Sequence, residues 1–480
     1  MKSKSYGFFY KRITSHNLFL YFLGYSIAFL FILFRIPFLT SFYSPEELGT
    51  YTIIASGLGY IEIIFFSWVT GTIWRHAYDK EFPDFGALAI AIIPFLGIMV
   101  LFAAVSTLLL VYVLNINDAI TVTAAFFSSL SIQLVQIFLN YLVYKKKVKT
   151  WCFTISLQSL LSFAILIVMT IVYKLGIRSI FLSILLCNST IIFYSLVNNF
   201  NKLSNVLVLN FGLFKRIFKY SFLLTLLSIL LTIINNADRF IVDYYKGKEL
   251  LGKYSQNYGL ASVGLFAFIQ FFNTLFIPVY SKNLATDAKN QSNQRIIQLY
   301  VFVFLPIIIF LVSNSGSITN ILLGKEFEGF SDIFNWVAIG VCLFGFANFF
   351  EIRLKFLRKT RVVLVGFGVF ALLNVIVNSF LLANNGIKTA SLVTLFTYFF
   401  ILLFLITHNW HFFLKLNLSR LLLDLMYATI IYLTLNFFLE KLYLSDWGSF
   451  SLNALVALIV YSIFLRRHYY IVTECIAEVV

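Results

Sequence analysis

Long apolar runs alternate with short polar stretches along almost the whole chain. Runs with little or no charge cover roughly residues 18–42, 50–74, 86–113, 119–143, 151–173, 179–198, 220–243, 254–278, 296–315, 331–351, 362–383, 389–407, 421–440 and 450–465. Each is close to the ~20 residues needed to cross a hydrocarbon core as a helix. Strict one-in-two alternation, which a membrane barrel requires, is missing. Only six prolines are present, so long uninterrupted helices are expected. The pattern predicts an all-α polytopic membrane protein with about 14 transmembrane helices.

Composition agrees. Hydrophobic residues make up 60% and charged residues 12%, and the mean hydropathy is +0.91. A soluble surface needs roughly 25% charged residues. The net charge of +16 would suggest nucleic acid in a soluble protein, but its distribution changes the reading. With the N-terminus placed in the cytoplasm, 26 of the 36 Lys and Arg fall on the cytoplasmic side, 8 on the other and two within spans. This is the positive-inside pattern. It places both termini in the cytoplasm and leaves no call for a nucleic-acid partner. The Tyr144–Lys147 run and the Arg353–Arg361 cluster are the strongest anchors, serving topology or anionic lipid headgroups.

Several chemistries find no support. Cys152, Cys187, Cys342 and Cys475 are isolated. His408 and His411 are three apart with no third ligand type nearby, so no metal site is expected. No phosphate loop occurs, and Gly366-Phe367-Gly368 lies inside an apolar run, so no nucleotide cofactor is expected. No cleavage site follows the first apolar run, so no removable signal peptide is expected.

The two halves repeat one another. Arg35 followed by Leu48-Gly49-Thr50-Tyr51 is matched by Arg239 followed by Leu251-Gly252-Lys253-Tyr254, at an offset of 203 to 204. Later, Lys149-Thr150 with Gly176-Ile177-Arg178 is matched by Lys359-Thr360 with Gly386-Ile387-Lys388, at 210. Pro94 and Pro306 add a third correspondence. Spans 1–6 and 7–12 thus read as two six-helix lobes related by a pseudo-two-fold axis along the membrane normal, an architecture suited to alternating access. The expected organisation is an N-terminal lobe at 1–198, a cytoplasmic amphipathic linker at 199–219, a C-terminal lobe at 220–414, and an additional helix pair with a cytoplasmic tail at 415–480.

Certain stretches also resemble a known family. Asn235-Asn236-Ala237-Asp238-Arg239-Phe240-Ile241-Val242, with Gly247 and Gly252-Lys253-Tyr254, resembles the seventh-helix signature of bacterial O-antigen (Wzx-type) polysaccharide flippases. These belong to the multidrug/oligosaccharidyl-lipid/polysaccharide exporter superfamily. Ser44 through Tyr51 resembles their first-loop pattern, and Gly324-Lys325-Glu326-Phe327 and Asn374 through Gly386 are similar as well. One departure is Lys388-Thr389-Ala390, where the family usually has Gly-Ala-Ala. The resemblance implies a non-enzymatic transporter of the bacterial inner membrane. It would move an undecaprenyl-diphosphate-linked oligosaccharide, an O-antigen or capsule repeat unit, to the periplasmic leaflet. A polysaccharide polymerase and a chain-length regulator would be its partners, beside membrane lipids. The alternatives are an ion-coupled multidrug exporter of the same superfamily and a membrane polysaccharide polymerase, which the short outer loops disfavour.

Charged groups inside spans are costly and mark function by default. Arg35, followed by Pro37, and its repeat-mate Arg239 could hold a diphosphate through charge-assisted contacts, or snorkel to the headgroups. Asp238 adjoins Arg239, and Asp243, four residues on, could neutralise it. Glu62 is the one deeply placed carboxylate of the first lobe; it could pair with Arg35 or exchange a proton or sodium ion in gradient-coupled transport. Glu351 is expected to pair with Arg353 or Lys355. Gln133, Gln136 and Asn140 in span 4, and Gln270, Asn273 and Thr274 in span 8, form polar stripes able to bind sugar hydroxyls or to join helices. Asn374 and Asn378 are expected to join helices.

Overall fold

The computed structural model describes residues 15–76, 85–113, 118–199, 211–285, 290–440 and 445–479. Among these it is helical throughout, without strands. The helices are α1 (Ser15–Phe42), α2 (Pro45–His76), α3 (Phe85–Val113), α4 (Ala119–Tyr144), α5 (Val148–Ile171) and α6 (Arg178–Asn199). Then come α7 (Phe211–Ala285), α8 (Asn290–Ser313), α9 (Ser315–Leu322), α10 (Ser331–Phe356), α11 (Thr360–Asn384) and α12 (Lys388–Thr407). The chain continues with α13 (Trp410–Leu414), α14 (Ser419–Glu440), α15 (Asp446–Arg467) and α16 (Tyr469–Val479). Every predicted span falls on a helix. Among the described residues, twelve helices are long and apolar enough to cross a membrane by length and composition. One of them, α7, carries two predicted spans separated by a break at Gly247, where φ is +81°. A left-handed φ is cheap only for glycine, so Gly247 lets the chain leave one limb and start the next within a single residue.

Local chemistry sets the helix starts. Ser44 begins α2 as a reciprocal cap: its N–H donates to Glu47 Oε2 at 2.9 Å, and the Glu47 N–H donates to Ser44 Oγ at 3.3 Å. Pro45 follows at the first helical position, where its missing N–H costs nothing. Asp118 caps α4, accepting the Thr121 N–H at 3.1 Å, and also receives Arg178 Nε and Nη2, each at 3.1 Å. Burial pushes the Asp118 carboxyl up, but the Thr121 and Arg178 donors outweigh it and hold it below its ordinary value.

Equivalent contacts recur in the two halves. Lys146 and Arg358 both take a left-handed φ, at 55° and 61°. The turns around them carry matching bonds, Lys147 N–H to the Leu142 carbonyl and Lys359 N–H to the Leu354 carbonyl, both at 2.9 Å. The structural offset at these turns is 212 rather than the 210 of the Lys-Thr match, because the helices begin at Val148 and Thr360. The Asp118–Arg178 pair, which ties the starts of α4 and α6, has its counterpart in Asp332 and Lys388 at the starts of α10 and α12.

Residues 200–210 of the anticipated linker lie outside the described residues. Residues 211–219 run without interruption into α7 instead of forming a separate interfacial helix. The anticipated tail contains α16, which packs on α8 through Arg295 Nε and Glu474 Oε2 at 2.9 Å. The helix pair α14–α15 is fixed to the second half by buried amides: Asn453 Nδ2 donates to Asn314 Oδ1, and Asn314 Nδ2 donates to the Tyr432 hydroxyl, each at 2.8 Å.

Candidate functional site

The halves meet mainly where α2 lies against α7. At the Pro45 end of this contact two glycines approach backbone reciprocally. A Cβ on Gly49 would lie 1.9 Å from the Lys248 carbonyl oxygen, and one on Gly252 would lie 1.8 Å from that of Pro45. Positions 45 and 49 are each 203 residues from 248 and 252, so one contact is the image of the other. Thr52 Oγ1 donates to Ser255 Oγ at 2.9 Å, and these too are 203 apart. They therefore sit on the pseudo-two-fold axis itself. A third glycine closes the same end: Gly324 N–H donates to Thr40 Oγ1 at 3.0 Å, and a Cβ there would lie 2.3 Å from the Thr40 carbonyl oxygen. Among the described glycines, these three alone would bring a Cβ within 3 Å of backbone, and all three contacts join opposite halves. The sequence repeat of Leu-Gly-x-Tyr is thus a record of this seam: the glycine lets backbones touch and the helix continues behind it.

One turn deeper lies Arg239. Arg239 Nη1 donates across the halves to Ser56 Oγ at 3.1 Å, and its guanidinium carbon stands 5.7 Å from the ring centre of Tyr258. Its Nε is buried without a hydrogen-bond partner. The anticipated pairing with Asp243 is not made; no ion pair to Arg239 occurs among the described residues, because the side chain turns toward α2. Asp238 is fully buried and accepts the Tyr254 hydroxyl at 2.5 Å through Oδ2, while its Oδ1 has no hydrogen-bond partner.

Arg35 is half-buried, and its Nη2 is buried with no partner in the protein. Earlier on α1, Phe29 meets α7: a Cβ on Gly264 would touch its ring at 2.9 Å. Arg35 shares the face of α1 that carries Phe31 and Phe38, whose rings both pack on Phe163 of α5.

Glu62 is not paired with Arg35. Its carboxylate accepts Ser129 Oγ at 3.1 Å and the side-chain amide of Gln133, both on α4. The stripe on α4 divides: Gln133 serves Glu62, Gln136 is exposed, and Asn140 is buried with Nδ2 unpartnered. On the second limb of α7, Gln270 is exposed and Asn273 half-buried, while the Tyr25 hydroxyl and Thr274 Oγ1 share a hydrogen bond at 3.4 Å. The joining role of the α11 amides holds: Asn374 Nδ2 donates to Thr397 Oγ1 at 2.9 Å, and Asn378 Nδ2 donates to Asn374 Oδ1 at 3.1 Å. Glu351 pairs with Lys355, while Arg353 stacks over Phe412 at 4.3 Å. No group of metal-ligating side chains occurs among the described residues. Ser56, Ser129 and Tyr258 were missed by sequence reasoning. Ser56 had a signal: aligned on the repeat, a serine stands opposite Gly259.

The comparisons with known proteins bear on this geometry. The profile of a family described as polysaccharide biosynthesis protein matches residues 44–332, more than half of the chain. The chain belongs to this family. The match begins at Ser44, the cap that precedes the first seam glycine, and ends at Asp332. No curated protein matches by sequence. Among solved structures, the lipid II flippase MurJ in an inward closed conformation is similar, with a TM-score of 0.72 at 16% identity, over 94% of this chain and all of that one. The MATE transporter VcmN of Vibrio cholerae is similar at a TM-score of 0.50 and 15% identity, over 80% of this chain and 94% of that one. At these identities the likeness establishes the fold. This member of the polysaccharide biosynthesis family is a polytopic all-α membrane protein whose fold is similar to that of MurJ.

Proposed function

We propose that the chain flips an undecaprenyl-diphosphate-linked oligosaccharide, an O-antigen or capsule repeat unit, from the cytoplasmic to the periplasmic leaflet by alternating access. One observation carries the reading. Arg35 and Arg239 lie within apolar spans of opposite halves, neither makes an ion pair among the described residues, and each keeps a buried nitrogen without a partner. An uncompensated cation within the hydrocarbon region is expensive. A diphosphate offers it several charge-assisted acceptors at once. The sugars would pass between the lobes while the prenyl chain stays in lipid. The family match and the flippase function of the similar MurJ support a lipid-linked cargo.

On this reading the protein sits in the bacterial inner membrane with both termini cytoplasmic, and the glycine seam is the closed periplasmic gate. Residues 1–198 and 220–414 act as the moving lobes, and a polymerase and chain-length regulator take the delivered unit. Glu62, held only by neutral donors, is the candidate for proton or sodium coupling. The rival reading, a cation-coupled drug exporter, shares the fold, but the free arginines would repel a cationic drug. The test is lipid flipping in proteoliposomes with Arg35→Ala. Loss of flipping with intact folding is expected; undiminished flipping would reject the mechanism.

A further inference from the structure

Two turns, one in each half, are built alike bond for bond. Between α4 and α5, the N–H groups of Lys145, Lys146 and Lys147 donate to the carbonyls of Tyr141, Val143 and Leu142, at 2.9, 3.0 and 2.9 Å. Between α10 and α11, those of Leu357, Arg358 and Lys359 donate to the carbonyls of Arg353, Lys355 and Leu354, at 2.9, 3.1 and 2.9 Å. The spans between the turns are α5, α6, the two limbs of α7, α8 and α10. That number is even, so both turns lie on one side of the membrane. It is the side that holds most of the Lys and Arg.

A helix ending of this kind usually has glycine at its left-handed position, because a Cβ is crowded there. Here the position is held by Lys146 in one half and Arg358 in the other, with φ of 55° and 61°. The charge continues beyond it. Lys147 and Lys149 stand at the start of α5, and Lys359 and Arg361 at the start of α11. A cation at the start of a helix opposes the helix dipole. All six side chains are exposed, and none makes an ion pair among the described residues. Backbone strain, the dipole and mutual repulsion all oppose this arrangement, so local stability does not account for it. Membrane insertion favours basic residues on this side, but it responds to their number and not to φ. A lysine two residues away would serve it as well. Insertion therefore leaves unexplained why one strained position is basic in both halves.

We propose that the two turns are matched docking sites for the headgroups of anionic phospholipids, one site in each half. Each turn ends an apolar span, which sets it at the level of the headgroups. Basic residues there are drawn to the negative surface of an anionic leaflet. Phe356 and Leu357, beside Arg358, are 37% and 48% exposed. Exposed apolar side chains next to the cations suit a lipid, whose chains lie beside its phosphate, better than a soluble anion. The inference is independent of the cargo and of Arg35 and Arg239. It ties each half separately to the same leaflet.

Glycine is the informative substitution. Lys146→Gly with Arg358→Gly removes two charges and suits the left-handed backbone of both turns. The measurement is thermal unfolding of the full chain in neutral detergent micelles, titrated with phosphatidylglycerol or with phosphatidylcholine. Without added lipid the double variant should unfold no lower than the native chain. Phosphatidylglycerol should stabilise the native chain, and phosphatidylcholine should not. In the double variant the apparent affinity for phosphatidylglycerol should fall by about fivefold at each turn, the scale of one basic residue near an anionic surface. Lys174 is also left-handed, with φ of 49°, but lies one span away on the opposite side. Lys174→Gly should leave the affinity unchanged. Equal phosphatidylglycerol affinity in the native chain and the double variant overturns the proposal, and so does equal stabilisation by phosphatidylcholine. Inorganic phosphate should give the native chain no stabilisation; an effect as large as that of phosphatidylglycerol would assign the turns to a soluble anion and overturn lipid docking.

Discussion

Replacing Gly49 by alanine should open the seam. The new Cβ would stand 1.9 Å from the Lys248 carbonyl oxygen. A relaxed carbon–oxygen contact is about 3.3 Å, so the helices must separate by roughly 1.4 Å for the alanine to fit. The obstacle is backbone on both sides and cannot be removed by a rotamer change. Overpacking of this kind costs ~1–3 kcal/mol. Alanine also raises helix stability by about 1 kcal/mol relative to glycine. That gain applies whether the seam is open or closed, so it cancels from the conformational equilibrium. The residual bias, roughly 5- to 150-fold, falls on the closed state alone. Cysteines at Thr52 and Ser255, whose hydroxyls are 2.9 Å apart, report closure by disulfide formation in a background without the four native, buried cysteines. Gly49→Ala should lower the crosslinking rate about thirtyfold, the middle of that range. Gly59→Ala, on the same helix with open space around its Cβ, should leave it unchanged. Equal crosslinking in Gly49→Ala and the parent would refute the argument that the glycines permit closure.

Two further outcomes follow. Glu62→Gln preserves shape but cannot change charge, so cargo binding should persist while acceleration of flipping by an imposed proton or sodium gradient disappears; retained acceleration places the coupling elsewhere. The Asp118 carboxyl is held below its ordinary value by Thr121 and Arg178. It therefore adds stability above the unfolded carboxylate range near ~4, and loses that contribution as pH falls through the lower folded value. Asp118 is more than a third exposed, so the pair is worth no more than about 1 kcal/mol. Asp118→Asn should lower the unfolding temperature slightly at neutral pH and not at all near pH ~2; an equal deficit at both would assign the effect to packing.

Much of the fold was legible because the bilayer imposes a length on every apolar run. The repeat was legible because seam glycines and the tyrosines behind them must recur where backbones touch. The site was less so. Arg35, Arg239 and Glu62 stand out because charge in an apolar run is costly. Their partners do not: Ser56 lies 183 residues from Arg239, and Ser129 lies 67 from Glu62. Neither hydroxyl differs in sequence from the many that merely cap their own helix. Local spacing suggested Asp243 for Arg239, but the side chain turns to the opposite half, and Asp238 is committed to Tyr254.

The central claim is that Arg35 and Arg239 receive an anionic, lipid-linked headgroup. The most direct measurement compares the native protein's affinity for undecaprenyl diphosphate with its affinity for the uncharged undecaprenol, in nanodiscs of fixed lipid composition, before and after Arg35→Ala with Arg239→Ala. The account predicts strong preference for the diphosphate in the native chain and loss of that preference in the double variant. Equal affinity for the two lipids, or a preference that survives removal of both arginines, would contradict it.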